Sequence, residues 1–423
     1  MPRRATRLVV ALLCTLLIVG IAVAALATEQ VTGSPLPVET IVVSGGGAGT
    51  AALPTIRHVG APSAMSTHDD EAVAGVLADL DTFWAAALPG EFDRPFVPLA
   101  GGYVSIDSTA ATGTSYCISS PDQIAGNAYY CPTGDAIVYD SAGLVPVLLG
   151  HYGVAGLTAA FAHEFGHAIQ ARIGPTPAER SAQPERYPSI LIEAQGDCFS
   201  GAFLAWTAAG KSAHVRLPAS SMVRAVAPLL DFSDPVSVKA DDSTAHGLSL
   251  DRLTAVLRGY RGGVTACHAL TATDLRPTLG RPGLVTTTQP DRFASVDAAI
   301  GAARPSIGRF TATLPTTATV TGLASAAPSA GDLRAAAPYG QFADAAALAF
   351  AVGRSITGSS AGAACFTGAW TASVFGRTTA GQLGSWAGDA DEALSMLRAR
   401  PDATLPELAA YADGFTTGWS TCH

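Results

Sequence analysis

Apolar side chains recur every three to four residues in four segments of the chain, which is the spacing of one face of an α-helix. The sequence therefore predicts helices over residues 69–88, 154–173, 188–209 and 249–260. Two segments, 96–107 and 128–140, are rich in β-branched and aromatic residues and are broken by Gly and Pro, so they predict strands of a small sheet. Together these elements predict an α+β domain over residues 67–270.

The N-terminal region has a different pattern. Three arginines precede an unbroken apolar run at residues 8–27. This pattern predicts either a signal peptide, for which Ala25-Leu26-Ala27 offers a cleavage site, or a single membrane anchor whose basic end is cytoplasmic. Residues 28–66 lack periodicity and are rich in Gly, Pro, Thr and Ser, which predicts a flexible linker. We expect the protein to be held at the cell membrane by one N-terminal span, or secreted, with its main part outside the cytoplasm.

Composition narrows the range of partners. Only 14% of the residues are charged, against about 25% in an average soluble domain, and the net charge is −9. Basic residues do not cluster after residue 7. A nucleic acid or an anionic membrane surface is therefore not an expected partner, and membrane contact is expected only through the N-terminal segment.

The motif HEFGH within the second predicted helix carries the strongest chemical signal. Residues four apart share a helix face, so His163 and His167 can bind one metal ion together. Zinc bound through three protein ligands retains an open position for water, whose pKa falls to about 7. Glu164, between the two histidines, is the expected general base.

A third ligand is expected from the next predicted helix. Glu193 and Asp197 lie one turn apart in the segment LIEAQGDCFSGAF. Glu193 can complete the ligand set, and Asp197 can accept the outer N–H of a ligand histidine, which orients the ring. The alternative is that both carboxylates line a solvated helix face, which the apolar neighbours in this segment argue against.

Four segments resemble the neutral zinc metallopeptidase family of bacteria, which is gluzincin-like. They are HEFGHAIQ, EAQGDCFSGAF, NAYYCPTGDAIVYD and AHGLSLDRLTAVLRGYRGGVTACH, so the resemblance covers about residues 66 to 270. It implies a zincin-like domain in which one zinc ion is held by His163, His167 and Glu193. Glu164 would then be the general base. The chain departs from the family at Gly196, where a helix-favouring residue is usual; glycine costs up to about 1 kcal/mol of helix stability but removes no ligand.

His246, in the segment AHGLSL, is a further candidate catalytic residue. The resemblance makes a role near the metal plausible, where an imidazole could stabilise the oxyanion of a tetrahedral intermediate. The alternative is that His246 is a helix cap or a surface group. The strand region 128–140 is the expected edge to which a substrate backbone binds by β-addition.

The cysteines predict disulfides. Cys14 lies in the apolar run, and the other six are in a chain that leaves the cytoplasm. Cys117 and Cys131 bracket the connection between the two strand segments, so a local disulfide is expected there, with pairing elsewhere as the alternative.

A degenerate repeat suggests the other two pairs. The segment GYRGGVTACH at 259–268 returns as GFTTGWSTCH at 414–423, and DCFSGAFLAW returns in the same order as ACFTGAW. This match predicts the disulfides Cys198–Cys267 and Cys365–Cys422, unless short Gly-rich and Ala-rich segments match by chance. In the second copy Ser360 and Ala364 replace the two carboxylates. Residues 271–423 are therefore expected to form a mostly helical, non-catalytic domain.

The sequence thus predicts an extracytoplasmic zinc peptidase with a peptide or protein substrate. Two alternatives remain at this stage. One is a zinc-stabilised surface binding protein with little or no proteolysis. The other is a zinc amidase that acts on a non-peptide wall component.

Overall fold

Long helices and one small sheet make up the molecule. The computed structural model describes residues 52–60, 67–236, 238, 242, 244–275, 293–315, 326–377 and 383–422. The helices are α1 Thr67–Phe92, α2 Leu144–Ile173, α3 Pro177–Ala182, α4 Ser189–Ala208, α5 Met222–Asp231, α6 Ser249–His268, α7 Val296–Thr311, α8 Ala330–Ala336, α9 Gln341–Thr357, α10 Ser360–Val374, α11 Ala387–Ala399 and α12 Leu405–Thr417. The strands are β1 Ile56–Val59, β2 Gly102–Ile106, β3 Ala128–Cys131 and β4 Ala136–Asp140. The predicted α+β class with a small sheet is confirmed.

The sheet is mixed, in the order β1-β2-β4-β3. The first three strands in this order are parallel. Strand β3 pairs antiparallel with β4, and the two form a hairpin in which β3 is the first strand. Strand β3 is therefore an edge of the sheet. Strand β1 lies inside the segment 28–66 for which the sequence predicts a linker, so the sheet begins earlier than expected. The predicted signal or anchor segment 1–27, with Cys14, lies outside the described residues.

The two faces of the sheet have different neighbours. On one face the Tyr139 ring packs edge-on against Phe161 of α2, with the ring centroids 5.1 Å apart. On the other face, alternate residues of the same strands, including Val104, Ile106 and Val138, form a separate buried cluster with the loop residues Ile118 and Ile124. The sheet is therefore covered on both sides, and one of its faces lies directly against α2.

Helices α2 and α4 carry the predicted metal ligands. Helix α2 is longer than predicted, but Gly153 has non-helical dihedral angles and kinks it, so the straight portion begins at residue 154 as expected. It ends at Ile173, and the next residue, Gly174, has a φ of 92°, a left-handed value that favours glycine. Helix α4 matches the predicted segment within one residue at each end. Helix α6 continues eight residues beyond the predicted Tyr260, to His268.

The three predicted cysteine pairs all lie at disulfide bonding distance: Cys117–Cys131, Cys198–Cys267 and Cys365–Cys422. The second pair joins α4 to α6, and the third joins α10 to Cys422, which follows the short 3-10 helix Trp419–Thr421 after α12.

The helix pairs α4/α6 and α10/α12 pack alike. A side chain at Gly259 would overlap the carbonyl oxygen of Cys198, and a side chain at Gly414 would overlap that of Cys365. Each of these glycines lies eight residues before the cysteine that completes the disulfide. The backbones of both pairs therefore approach closely at equivalent positions, which is the arrangement that the duplication hypothesis expects.

Two helices in the described part of the chain are long and apolar enough to cross a membrane: Asp69–Phe92 and Leu144–Ile173. Most of the apolar window of each is buried within the protein, and a core helix of a soluble domain passes the same test. The N-terminal span expected from the sequence lies outside the described residues.

Candidate metal centre

The structure brings His163 and His167 of α2 together with Glu193 of α4. The two Nε2 atoms are 3.2 Å apart. Glu193 Oε2 lies 3.2 Å from Nε2 of His163, and Glu193 Oε1 lies 3.6 Å from Nε2 of His167. Among the described residues this is the one group of His, Cys, Asp or Glu side chains that could hold a metal ion.

The separation of the two imidazoles fits a tetrahedral ion. Ligand atoms that lie about 2.0–2.1 Å from a tetrahedral zinc ion are about 3.3 Å from one another. The two Nε2 atoms are 3.2 Å apart, and the contacts of 3.2 and 3.6 Å to them come from two different oxygens of Glu193. With one ligand atom from each residue, all three atoms lie within 4.8 Å of one another. The side chains could therefore hold a metal ion without large rearrangement, and three protein ligands would leave a fourth position open.

Each imidazole is oriented by a partner on its outer nitrogen. Nδ1 of His163 lies 2.8 Å from Oδ1 of Asp197, as the sequence predicts. Nδ1 of His167 lies 3.0 Å from Oε1 of Gln170, whose side-chain amide donates to the Ile192 carbonyl. With these bonds both Nε2 atoms face the centre, which is the arrangement that metal-ligating histidines usually have. Gln170 was not predicted from the sequence, although it lies one turn after the motif on the same helix.

A buried arginine supports Asp197. Arg252 of α6 donates from Nε to Oδ2 of Asp197 and from a terminal nitrogen to Oδ1, both at 2.8 Å. Its other terminal nitrogen donates to the Phe232 carbonyl. The Arg252 side chain is 4% exposed and that of Asp197 is fully buried. One sequence signal points to this residue: Arg252 lies one turn before Val256 on the apolar face of α6, where a cation needs a carboxylate partner.

The charges around the centre favour a divalent cation. Glu164, Glu193 and Asp197 supply three carboxylates and Arg252 one guanidinium, which leaves two net negative charges when the imidazoles are neutral. Burial alone would lower the pKa of His163, but the Asp197 carboxylate outweighs burial and raises the pKa to about 10. A metal ion that binds here would displace such protons.

The pKa values of Glu193 and Glu164 are shifted in opposite directions. Burial by itself would raise the pKa of Glu193, but the neighbouring imidazoles hold that pKa well below its usual range. For Glu164, burial prevails and the pKa is raised. The surroundings therefore favour the ionised form of Glu193 and give Glu164 a greater affinity for a proton.

Glu164 lies against the edge strand of the sheet. Its Oε2 accepts a hydrogen bond of 3.2 Å from the Tyr130 backbone N–H. The Asp140 N–H donates to Asn127 across the hairpin, so by alternation the backbone groups of Ala128 and Tyr130 point away from β4. The open edge of β3 therefore faces the candidate metal centre, where the sequence predicts the substrate-binding edge.

His246 also reaches the centre. Its Nε2 lies 3.9 Å from Oε2 of Glu193, and its Nδ1 lies 3.6 Å from Oδ1 of Asp234. The side chain is 49% exposed. Hydrogen bonding to Asp234 raises the pKa of His246, against the opposing effect of burial. The N-cap position of α6 is Leu248, so His246 is not the helix cap that the sequence left as an alternative.

Gly196, where the chain departs from the family that it resembles, leaves space for the ligand imidazoles. A Cβ atom at this position would lie 3.0 Å from Cε1 of His163 and 3.4 Å from Cε1 of His167. Glycine therefore leaves room for both rings, and its lower helix propensity is the cost of that space.

Gly196→Ala is expected to lower the affinity for zinc roughly 2- to 13-fold, because moving an imidazole by about 30° from its preferred rotamer costs about 0.5–1.5 kcal/mol. Competition with a chelating dye would measure the change. Gly301→Ala, in a helix where a Cβ would meet no neighbour within 4 Å, is the matched control and should leave affinity unchanged. Equal affinity of Gly196→Ala and the unchanged protein would contradict this role.

Helices α9 and α10, the counterparts of α2 and α4 in the second copy of the repeat, carry no metal ligands at the equivalent positions. Gly353 packs against Phe366 as Gly166 packs against Phe199, which relates α9 to α2. By this alignment Phe350 takes the place of His163. The Arg400 guanidinium lies 4.3 Å from the centre of the Phe350 ring.

The chain matches no protein-family model, no curated protein and no solved structure. The class of molecule that can be stated is an α+β protein with a largely buried two-histidine, one-glutamate group able to hold a metal ion.

Proposed function

We propose that this protein is an extracytoplasmic zinc-dependent peptidase in which Glu164 is the general base. The observation that carries the proposal is the convergence of His163, His167 and Glu193, whose ligand atoms are close enough to hold one metal ion, with Glu164 beside them. Two imidazoles and one glutamate are a common ligand set of catalytic zinc. The three cysteine pairs support a location outside the cytoplasm.

Zinc held in such a site supplies Lewis acidity toward a carbonyl oxygen and lowers the pKa of water. The residues of this chain have distinct tasks. Glu164 accepts the proton of the attacking water and later delivers it to the leaving nitrogen. The Tyr130 N–H holds Glu164 in place. Asp197 and Gln170 fix the outer nitrogens of the two ligand imidazoles.

The substrate would bind along β3. The outward carbonyl groups of Ala128 and Tyr130 can accept hydrogen bonds from an extended peptide, so that the peptide lies along the edge of the sheet next to Glu164, whereas the two N–H groups donate to Asn127 and Glu164. His246 lies 3.9 Å from the Glu193 carboxylate and is half exposed. Its raised pKa favours the protonated ring, which can donate to the oxygen on which negative charge develops.

Digestion of a peptide library by the full-length protein tests this proposal. Cleavage should fall to background with a zinc chelator and return when zinc is added back, because the proposed reaction needs the metal. Cleavage that persists in chelator would overturn the proposal. If the zinc-loaded protein cleaves no peptide but hydrolyses wall-derived amides, the amidase alternative is supported, and if it hydrolyses neither, the binding-protein alternative is supported.

A further inference from the structure

Helix α11, in the C-terminal part of the chain, contacts the segment that carries His246 at two points. We define the His246 junction as residues 231–234 and 245–250, which join the end of α5 to the start of α6. The two parts of the junction bind each other. Asp234 N–H donates to the Gly247 carbonyl, and its side chain accepts the N–H groups of His246 and Gly247 at 2.6 and 2.7 Å.

The first contact is at the start of α6. The first N–H groups of a helix have no partner within the helix, and Leu248 at the N-cap position has no side chain that can accept them. The Asp391 carboxylate of α11 accepts from the N–H of Ser249 at 3.1 Å and from the N–H of Leu250 at 2.9 Å. Asp391 is thus a cap supplied by a distant helix. The first N–H group that it binds belongs to Ser249, which is two residues after Gly247 and three after His246.

The second contact is at the end of α5. Arg398, two turns after Asp391 on α11, forms a two-point ion pair with Asp231, with one hydrogen bond of 2.9 Å. Asp231 also accepts a hydrogen bond of 2.9 Å from the Tyr152 hydroxyl of α2, just before the kink in that helix. One side of α11 therefore holds both ends of the His246 junction.

We propose that α11, through Asp391 and Arg398, positions His246 beside the candidate metal centre. This assigns a task to a part of the chain that supplies no metal ligand. It rests on the proposed function in so far as His246 acts on the substrate, whereas the placement of the junction by α11 stands independently of any reaction. Asp391 and Arg398 are positioning residues, since neither contacts the centre.

The first test measures the junction itself. In Asp391→Ala, amide hydrogen exchange at residues 247–252 should be roughly 2- to 30-fold faster, the factor that corresponds to losing a helix N-cap. Asp391→Asn, which keeps one acceptor oxygen, should fall between this variant and the unchanged protein and serves if Asp391→Ala folds poorly. Asp413→Ala removes the Arg261–Asp413 ion pair, which also joins α6 to the C-terminal part, and should leave exchange at the junction unchanged. Unchanged exchange in both Asp391 variants would overturn the proposal.

The second test measures coupling to His246. Asp391→Ala should lower kcat for a cleaved peptide with little change in KM and no change in zinc content. It should have no further effect in a His246→Ala background, because it acts only through that ring. An equal loss of kcat in both backgrounds would overturn the assignment. If the unchanged protein cleaves no peptide, the proposed function fails, and the exchange measurement still decides whether α11 holds the junction.

Discussion

Glu164→Gln is expected to lower kcat/KM for peptide hydrolysis by roughly 10²- to 10⁴-fold, the usual contribution of a positioned general base. Glutamine has almost the same shape and can still accept the Tyr130 N–H that Glu164 accepts at 3.2 Å. It cannot take a proton from water at neutral pH. The variant should therefore retain the site and its zinc, and lose turnover.

The measurement pairs zinc content with turnover on the same preparation. Glu71→Gln, at an exposed position of α1, is the matched control for the same chemical change and should keep full activity. A Glu164→Gln protein with full zinc and full turnover would show that another group takes the proton. A protein with neither zinc nor turnover would show that Glu164 helps to hold the metal, and the assigned role would have to change.

The metal-binding group could be predicted from the sequence because its geometry is local. His163 and His167 lie four residues apart on one helix, so their proximity follows from helix geometry alone. Glu193 and Asp197 have the same spacing on the next long helix. The sequence does not show how the two helices pack. In the structure their packing places Asp197 2.8 Å from His163.

Two of the supporting contacts were not predicted, because the groups that make them lie in distant parts of the chain. Arg252 reaches Asp197 across 55 positions, and the Tyr130 backbone reaches Glu164 across 34. A backbone N–H carries no sequence signal at all. Strand β1 was missed for a similar reason: four residues are too few to show a period, and their strand conformation depends on pairing with β2.

Two of the three cysteine pairs, Cys198–Cys267 and Cys365–Cys422, were predicted correctly because the repeat contains more information than the cysteines alone. Six cysteines allow 15 pairings in principle. The glycines at equal offsets from Cys267 and Cys422 point to two helix pairs of the same construction, and the structure shows close backbone approach at both. The repeat did not indicate the contacts of α11 with the start of α6, since these join the two parts of the chain to each other.

Arg252→Met is expected to lower the free energy of unfolding by about 3–5 kcal/mol, because it breaks a buried ion pair and removes the guanidinium that bonds both oxygens of Asp197. Methionine replaces the aliphatic stem of arginine and has no charge, so the loss would not come mainly from packing. The change should also weaken zinc binding, since an unsupported Asp197 no longer fixes the His163 ring. Denaturant unfolding of the metal-free protein would measure the first effect, separately from any contribution of bound zinc.

Two further variants test whether the loss of stability in Arg252→Met comes from the buried charge of Asp197. Arg261→Met, on the same helix, breaks another two-point arginine–aspartate pair, but the Arg261 and Asp413 side chains are 50% and 41% exposed. Exposed pairs contribute about 0–1 kcal/mol, so this variant should be nearly neutral. Arg252→Met combined with Asp197→Asn should recover part of the lost stability, because asparagine can still accept from His163 but carries no charge. Equal losses at the two arginines, or no recovery in the double variant, would mean that the uncompensated charge of Asp197 is not what destabilises the protein.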